Sequence, residues 1–103
     1  MTSPIDVPPD EMKTVENILS RFTPRPNNVW VFGSRARLTA RRFSDLDLAI
    51  DAGQRLSIVE LARLQGEFED SDLPWRVDVV DLNAVGEGFR GSILAHAVPI
   101  PIA

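Results

Sequence analysis

Between Asp45 and Asp51 the chain alternates at every step, with Asp45, Asp47, Ala49 and Asp51 on one parity and Leu46, Leu48 and Ile50 on the other. Only an extended strand turns a two-residue period into two faces, so this run commits the chain to a sheet whose Leu46-Leu48-Ile50 side lies on a core. A second run, Val29-Trp30-Val31-Phe32, is apolar on both faces. That is the pattern of a strand buried inside a sheet rather than at its edge. Trp75 to Asp81 is rich in β-formers, with Val77 and Val79 on one face and Arg76, Asp78 and Val80 on the other.

Helical periods separate these strands. Met12, Val15, Ile18, Leu19 and Phe22 share one face, with Pro8, Pro9 and Asp10 suited to its start and Pro24 and Pro26 to its end. Ile58, Leu61, Ala62, Leu64, Gln65 and Phe68 outline a second helix, and Leu82, Val85, Phe89 and Ile93 a last stripe. Ser34 to about Arg41 is compatible with a short helix, residues 1–10 read as an extended leader, and Val98 to Ala103 as a proline-interrupted tail. The expected order is helix, strand, short helix, strand, helix, strand, helix. It gives an α/β domain in which one small mixed sheet is flanked by helices. At 103 residues the chain fits a single domain, 1–103, with no room for a second one to hold a substrate.

A net charge of -4 and a pI near 4.8 argue against nucleic acid as a direct substrate, because broad binding to a polyanion needs a basic surface. Without cysteine there is neither a disulfide framework nor a thiolate metal site. No segment has the pattern of a signal peptide or a membrane span, so the expected location is cytoplasmic, away from the membrane.

Gly33-Ser34 stands where a buried strand gives way to a helix. There a glycine lets a ligand approach the backbone, and outward-pointing amides suit a phosphate, although such a pair alone is more often a turn and a cap. Asp45 and Asp47, two apart on a strand, project from one face and repel one another unless something positive lies between them. Their all-oxygen character suits a hard divalent ion such as magnesium. Viewed alone, the pair is as well explained by a solvated face. Asp78 brings a third carboxylate, with Asp81 as its rival. Asp78 is preferred because an acid flanked by valines in mid-strand needs a partner, whereas Asp81 at the strand end can meet water. Arg35, Arg37, Arg41 and Arg42 follow the loop and are placed to neutralise phosphates or to form a solvated basic face. His96, the one histidine, cannot build a histidine metal site, and Trp30 and Trp75 read as core residues beside the site.

Taken together, Gly33-Ser34, ten intervening residues, Asp45-Leu46-Asp47 and a later Asp78 resemble the signature of the polymerase-β nucleotidyltransferase superfamily. Val31-Phe32-Gly33-Ser34-Arg35-Ala36 and Phe43-Ser44-Asp45-Leu46-Asp47-Leu48-Ala49-Ile50 are similar specifically to the minimal nucleotidyltransferases of prokaryotes. The likeness spans about residues 28 to 81. It implies a polymerase-β-like fold, with Gly33, Ser34 and Arg35 at the nucleotide and Asp45, Asp47 and Asp78 holding two magnesium ions. It further implies Asp78 as the base nearest the attacking hydroxyl, in an in-line phosphoryl transfer.

Members of that group commonly act as antitoxins beside a small helical HEPN RNase toxin, by binding it or by moving AMP from ATP to one of its tyrosines. The resemblance therefore implies a HEPN-type toxin and a nucleoside triphosphate as partners, and protein adenylylation as the activity. The alternative is a non-catalytic antitoxin that neutralises the toxin by binding. The intact Gly-Ser pair and three acids favour the enzyme, since a module used only for its surface has no need to crowd carboxylates together. A transferase directed at antibiotics or tRNA is the weaker reading, for want of a second domain and a basic surface.

Overall fold

The computed structural model describes residues 5–37 and 44–101. Its elements are helix α1 (Pro9–Arg21), strand β1 (Asn28–Phe32), a 3-10 turn (Gly33–Arg35), β2 (Leu46–Asp51), α2 (Ile58–Glu69), β3 (Val77–Asp81), α3 (Glu87–Leu94) and β4 (Val98–Ile100). They build one four-stranded mixed sheet in the order β3-β2-β1-β4. Strand β1 is antiparallel to both β2 and β4, and β2 is parallel to β3, a pairing that α2 makes possible by carrying the chain back across the sheet. Among the described residues no helix is long and apolar enough to cross a membrane.

The two faces of β2 divide the molecule. Leu46, Leu48 and Ile50 are each 0% exposed and pack with Val29 and Val31 against Val15, Ile18 and Leu19 of α1 and Leu64 and Phe68 of α2. Burying side chains of this size stabilises by about 1.5–3 kcal/mol each, which makes this layer the main source of stability. On the other face a smaller cluster of Ala49, Leu82 and Ile93, edged by Trp30, Phe32 and Val80, receives α3.

Local signals explain the helix boundaries. Pro9 opens α1, with Asp10 and Glu11 in its first turn and Arg21 in its last, all favourable to the helix dipole. Helix α2 begins with a capping box: Ser57 Oγ accepts from the Glu60 backbone N–H at 3.0 Å, and the Ser57 N–H donates to the Glu60 carboxylate at 2.9 Å. Gln65 of α2 reaches edge strand β3, its amide donating to the Val77 carbonyl while its oxygen accepts from the Val79 N–H at 3.2 Å. A side chain thus occupies the backbone groups that an edge strand leaves open.

Three expectations change. The leader is part of the fold: Ile5 and Val7 are buried in the main core, and Pro9 and Asp10 already belong to α1. The tail forms β4, paired with β1 through Val31↔Val98, Trp30↔Pro99 and Val29↔Ile100, and Pro99 is tolerated because this strand lies at the sheet edge. Of the helix expected from Ser34 to about Arg41, the described residues show the 3-10 turn Gly33–Arg35, and residues 38–43, with Arg41 and Arg42, lie outside the described residues.

Candidate functional site

Three strands bring the candidate residues into one row. Asp47 of β2 stands opposite Phe32 of β1 on one side and Asp78 of β3 on the other. Strands lie about 4.8 Å apart in a sheet, so the turn after Phe32, the Asp47 carboxylate and Asp78 are immediate neighbours across its end. All three sit on the face that carries α3, beyond Ala49 and Val80, where that helix packs.

Gly33 is required at its position for two reasons. Its φ of +74° lies in the left-handed region that L side chains rarely adopt. A Cβ there would also overlap Asp47 Oδ2 and approach Asp47 Cγ to 3.3 Å, so the Asp47 carboxylate occupies the space that the missing side chain leaves. The turn closes behind it, with the N–H groups of Ala36 and Arg37 donating to the Gly33 carbonyl at 3.2 Å each.

The charges at this end of the sheet press on one another. Burial first, and then the like charges of Asp78 and Asp45, hold the Asp47 carboxyl above its ordinary value. Asp45 is exposed just before β2, and Asp78 Oδ1 accepts from Arg76 Nε at 2.8 Å. Among the described residues no three acidic or histidine side chains already form a group that could hold a metal ion. Asp78 is held toward Arg76 only weakly, since an ion pair whose side chains are 69% and 36% exposed is worth about 0–1 kcal/mol. Three neighbouring carboxylates, one of them crowded by the other two, are a donor set that fits a hard divalent cation.

Arg35 requires a correction. Instead of facing a nucleotide it is 4% exposed and turned inward. Its guanidinium donates to the Ser44 carbonyl at 3.1 and 2.9 Å and to the Asp6 carbonyl at 2.7 Å, and lies 4.6 Å from the Trp75 ring centroid. The Asp6 N–H donates back to the Arg35 carbonyl at 2.9 Å. Arg35 thereby ties together the N-terminal segment, the turn after Gly33 and the approach to Asp45. Trp75 is buried against it, as expected of a core residue, and Trp30 is half-buried beneath α3.

Asp78 and Asp81 exchange the environments expected of them. Asp81 is 3% exposed and is satisfied by the backbone N–H groups of Leu56 at 2.7 Å and Asn83 at 2.9 Å, which makes it a structural acid. Asp78 is the partly open one, and what places it in the row is strand register rather than a need for compensation. Asp51, on the same parity as Asp47, has a third role. It accepts from the Asn83 side chain and the Gly53 N–H, both at 2.8 Å, with Arg90 of α3 at 3.8 Å, and these hold its carboxyl below the ordinary value. Arg90 also donates to the Leu82 carbonyl at 2.9 Å, which fastens α3 to the sheet.

Beside Gly33 a groove of about 270 Å³ runs between the turn and α3, lined by Phe32, Gly33, Arg37, Phe89, Ser92 and His96. Sequence reasoning did not single it out. Phe89 falls on the apolar stripe with Ile93, yet Ile93 is 4% exposed and Phe89 is 54% exposed, and only the position of the sheet under α3 separates them.

Comparison with known proteins identifies the family. Residues 13–101 match the family described as polymerase beta, nucleotidyltransferase. A Haemophilus influenzae protein named "Probable protein adenylyltransferase MntA" is 42% identical over 86 residues, 84% of this chain and 75% of that protein. A Methanocaldococcus jannaschii protein described in similar terms, also as a protein adenylyltransferase, is 34% identical over 70 residues, 68% of this chain and 74% of the relative. Among solved structures, a toxin-antitoxin with AMP-PNP superimposes with a TM-score of 0.76 at 23% identity, over 88% of this chain and 73% of that one. A mutant of the toxin-antitoxin MntA-HpeT gives 0.73 at 21% identity, over 89% and 72%. The mixed sheet, the Gly33 turn against Asp47 and the match over residues 13–101 lead to one conclusion: the chain belongs to the polymerase beta nucleotidyltransferase family.

Proposed function

We propose that this nucleotidyltransferase is a cytoplasmic antitoxin that transfers AMP from ATP to a hydroxyl, that of a tyrosine, on a partner HEPN-type RNase toxin. The observation that carries the chemistry is the row Gly33, Asp47, Asp78, in which a turn without a side chain, a carboxyl crowded by like charge and a more open carboxyl stand side by side. The protein target is supported by the name of the H. influenzae relative, and the antitoxin role by the structural neighbours, which are toxin-antitoxin structures.

In this reading the triphosphate lies against the Gly33-Ser34 backbone, which Arg35 holds in place from beneath. Asp45, Asp47 and Asp78 are the residues that would hold two magnesium ions, which supply neutralisation of the triphosphate and acidification of the attacking hydroxyl. Asp78, at the outer end of the row and on an edge strand, accepts the proton of the tyrosine hydroxyl as its oxygen attacks the α-phosphorus and pyrophosphate leaves. The Asp47 carboxylate lies against Gly33, where it would hold a cation beside the phosphate chain.

The proposal is tested by incubating the chain and its partner with magnesium and ATP labelled at either the α- or the γ-phosphorus. Label is expected on the partner from the α position only. Transfer of the γ label, or of neither, would remove adenylylation as the reaction.

A further inference from the structure

We infer that the outward face of α2 is a self-association surface, on which a second copy of this chain packs its own α2 antiparallel about a two-fold axis between Ala62 and Arg63. The surface is separate from the nucleotidyltransferase site, because α2 covers the sheet face opposite the one that carries Asp47, Asp78 and α3. Three observations support it.

The first is an uncovered apolar surface. Leu64 and Phe68 turn α2 toward the core, and the helical period then places Val59, Ala62 and Gly66 on the outward row with Ile58 at its flank. Ile58 is 89% exposed and Val59 74%, two branched apolar side chains next to each other in water. The second is Gly66. A glycine inside a helix weakens it relative to alanine, and a Cβ at this position would meet nothing within 4 Å, so no contact among the described residues requires it. A bare backbone there lets a facing helix approach closely, and the branched Val59 of a second copy fits the space it leaves. The third is charge. Arg55 is exposed just before α2, at the positive end of its dipole, whereas Glu67, Glu69, Asp70 and Asp72 are exposed in or just beyond its last turn, where no basic residue offsets them.

An antiparallel second copy answers all three together. Across an axis between Ala62 and Arg63 the levels of Val59 and Gly66 coincide, as do those of Ile58 and Glu67 and of Arg55 and Asp70, so each acidic end meets the other copy's basic end. A parallel pair would set acid against acid. Arg63, near the axis, is turned aside: its guanidinium donates to the Thr23 carbonyl and lies 4.9 Å from the Phe22 ring centroid. The helix is about 18 Å long, so the buried area falls in the small class of interface and the dimer is a weak, reversible one.

The experiment is sedimentation of the full chain over a concentration series up to about 1 mM, for wild type, Val59→Asp, Gly66→Gln, Arg55→Glu, Asp70→Arg and the double reversal of Arg55→Glu with Asp70→Arg. Wild type is expected to pass from monomer to dimer. Val59→Asp, which puts an acid in the first turn of α2 and so leaves the fold intact, should weaken the dimer by about tenfold or more. Gly66→Gln should do the same while raising the melting temperature of the dilute monomer. Each single charge reversal should weaken the dimer about fivefold, and the double reversal should restore it. A chain that stays monomeric throughout, a Val59→Asp chain that pairs like wild type, or charge reversals whose losses add instead of cancelling would overturn the proposal. Protection of α2 from hydrogen exchange only when the partner toxin is present would also overturn it, and would give this face to the toxin.

Discussion

Replacing Gly33 by alanine isolates the feature on which the site depends. At φ +74° an L residue pays about 1–2 kcal/mol to remain left-handed. The new Cβ overlaps Asp47 Oδ2 and lies 3.3 Å from Asp47 Cγ, so the carboxylate has to leave its rotamer at a cost of about 0.5–1.5 kcal/mol. The sum, about 1.5–3.5 kcal/mol, lowers the melting temperature of a domain this size by roughly 6–28 °C. The variant remains folded at 25 °C, since domains typically have about 5–15 kcal/mol to lose. Gly53→Ala is the matched control. Its φ is +83°, but its nearest neighbour is Asn27 Nδ2 at 3.0 Å, the end of a flexible side chain, in a turn beyond the opposite end of β2 from Asp47. Both variants should melt early by scanning calorimetry, yet at 25 °C only Gly33→Ala should lose magnesium-dependent ATP binding, by tenfold or more. If Gly33→Ala binds ATP like wild type, or Gly53→Ala loses as much, the contact between the turn and Asp47 is not what builds the site.

Asp45→Asn combined with Asp47→Asn should abolish transfer while the metal-free variant melts at or above wild type at pH 7. The folded chain holds the Asp47 proton more tightly than the unfolded one, whose value lies near 3.8, so the cost of ionising it is absent well below that pH and grows as pH rises through the folded value; the gap between variant and wild type should close on acidification. Asp51 has the opposite sign: its stabilisation is present above about 3.8 and lost as pH falls through its lower folded value, so Asp51→Asn should flatten the acid side of the stability profile and loosen α3, read by hydrogen exchange. Asp81→Ala leaves the Leu56 and Asn83 N–H groups without their buried acceptor and should cost about 2–3 kcal/mol by urea unfolding, with transfer retained at 25 °C. Asp78→Ala should do the reverse, changing stability by less than about 1 kcal/mol and removing transfer.

What was legible in the sequence follows a physical division. The alternation from Asp45 to Asp51 reads directly because strand parity needs no knowledge of partners, and the structure places Leu46, Leu48 and Ile50 in the core as that parity requires. Gly33 and Asp47 are found by spacing, though their contact is not, because it depends on the register Phe32↔Asp47. The fates of Asp78 and Asp81 were not legible: the buried Asp81 is satisfied by the N–H of Leu56, 25 residues away, and no local pattern announces it. Arg35 misled for a similar reason, since a long side chain after a phosphate-type loop turns outward or inward according to whether carbonyls such as those of Asp6 and Ser44 await it. Strand β4 was hidden by Pro99, which is acceptable only because the strand falls at an edge. In each case the missing information was tertiary rather than chemical.

In the proposed function this chain silences its partner by chemistry and not by covering it. The most direct measurement is to incubate the HEPN-type toxin with ATP, magnesium and either the wild-type chain or Asp78→Ala, separate the proteins, and then weigh the toxin and assay its RNase activity. Wild-type chain is expected to add one or more AMP units and to leave an isolated toxin without RNase activity, while Asp78→Ala adds none and leaves it active. A toxin of unchanged mass that is inhibited only while the chain stays bound would contradict the account and establish neutralisation by binding.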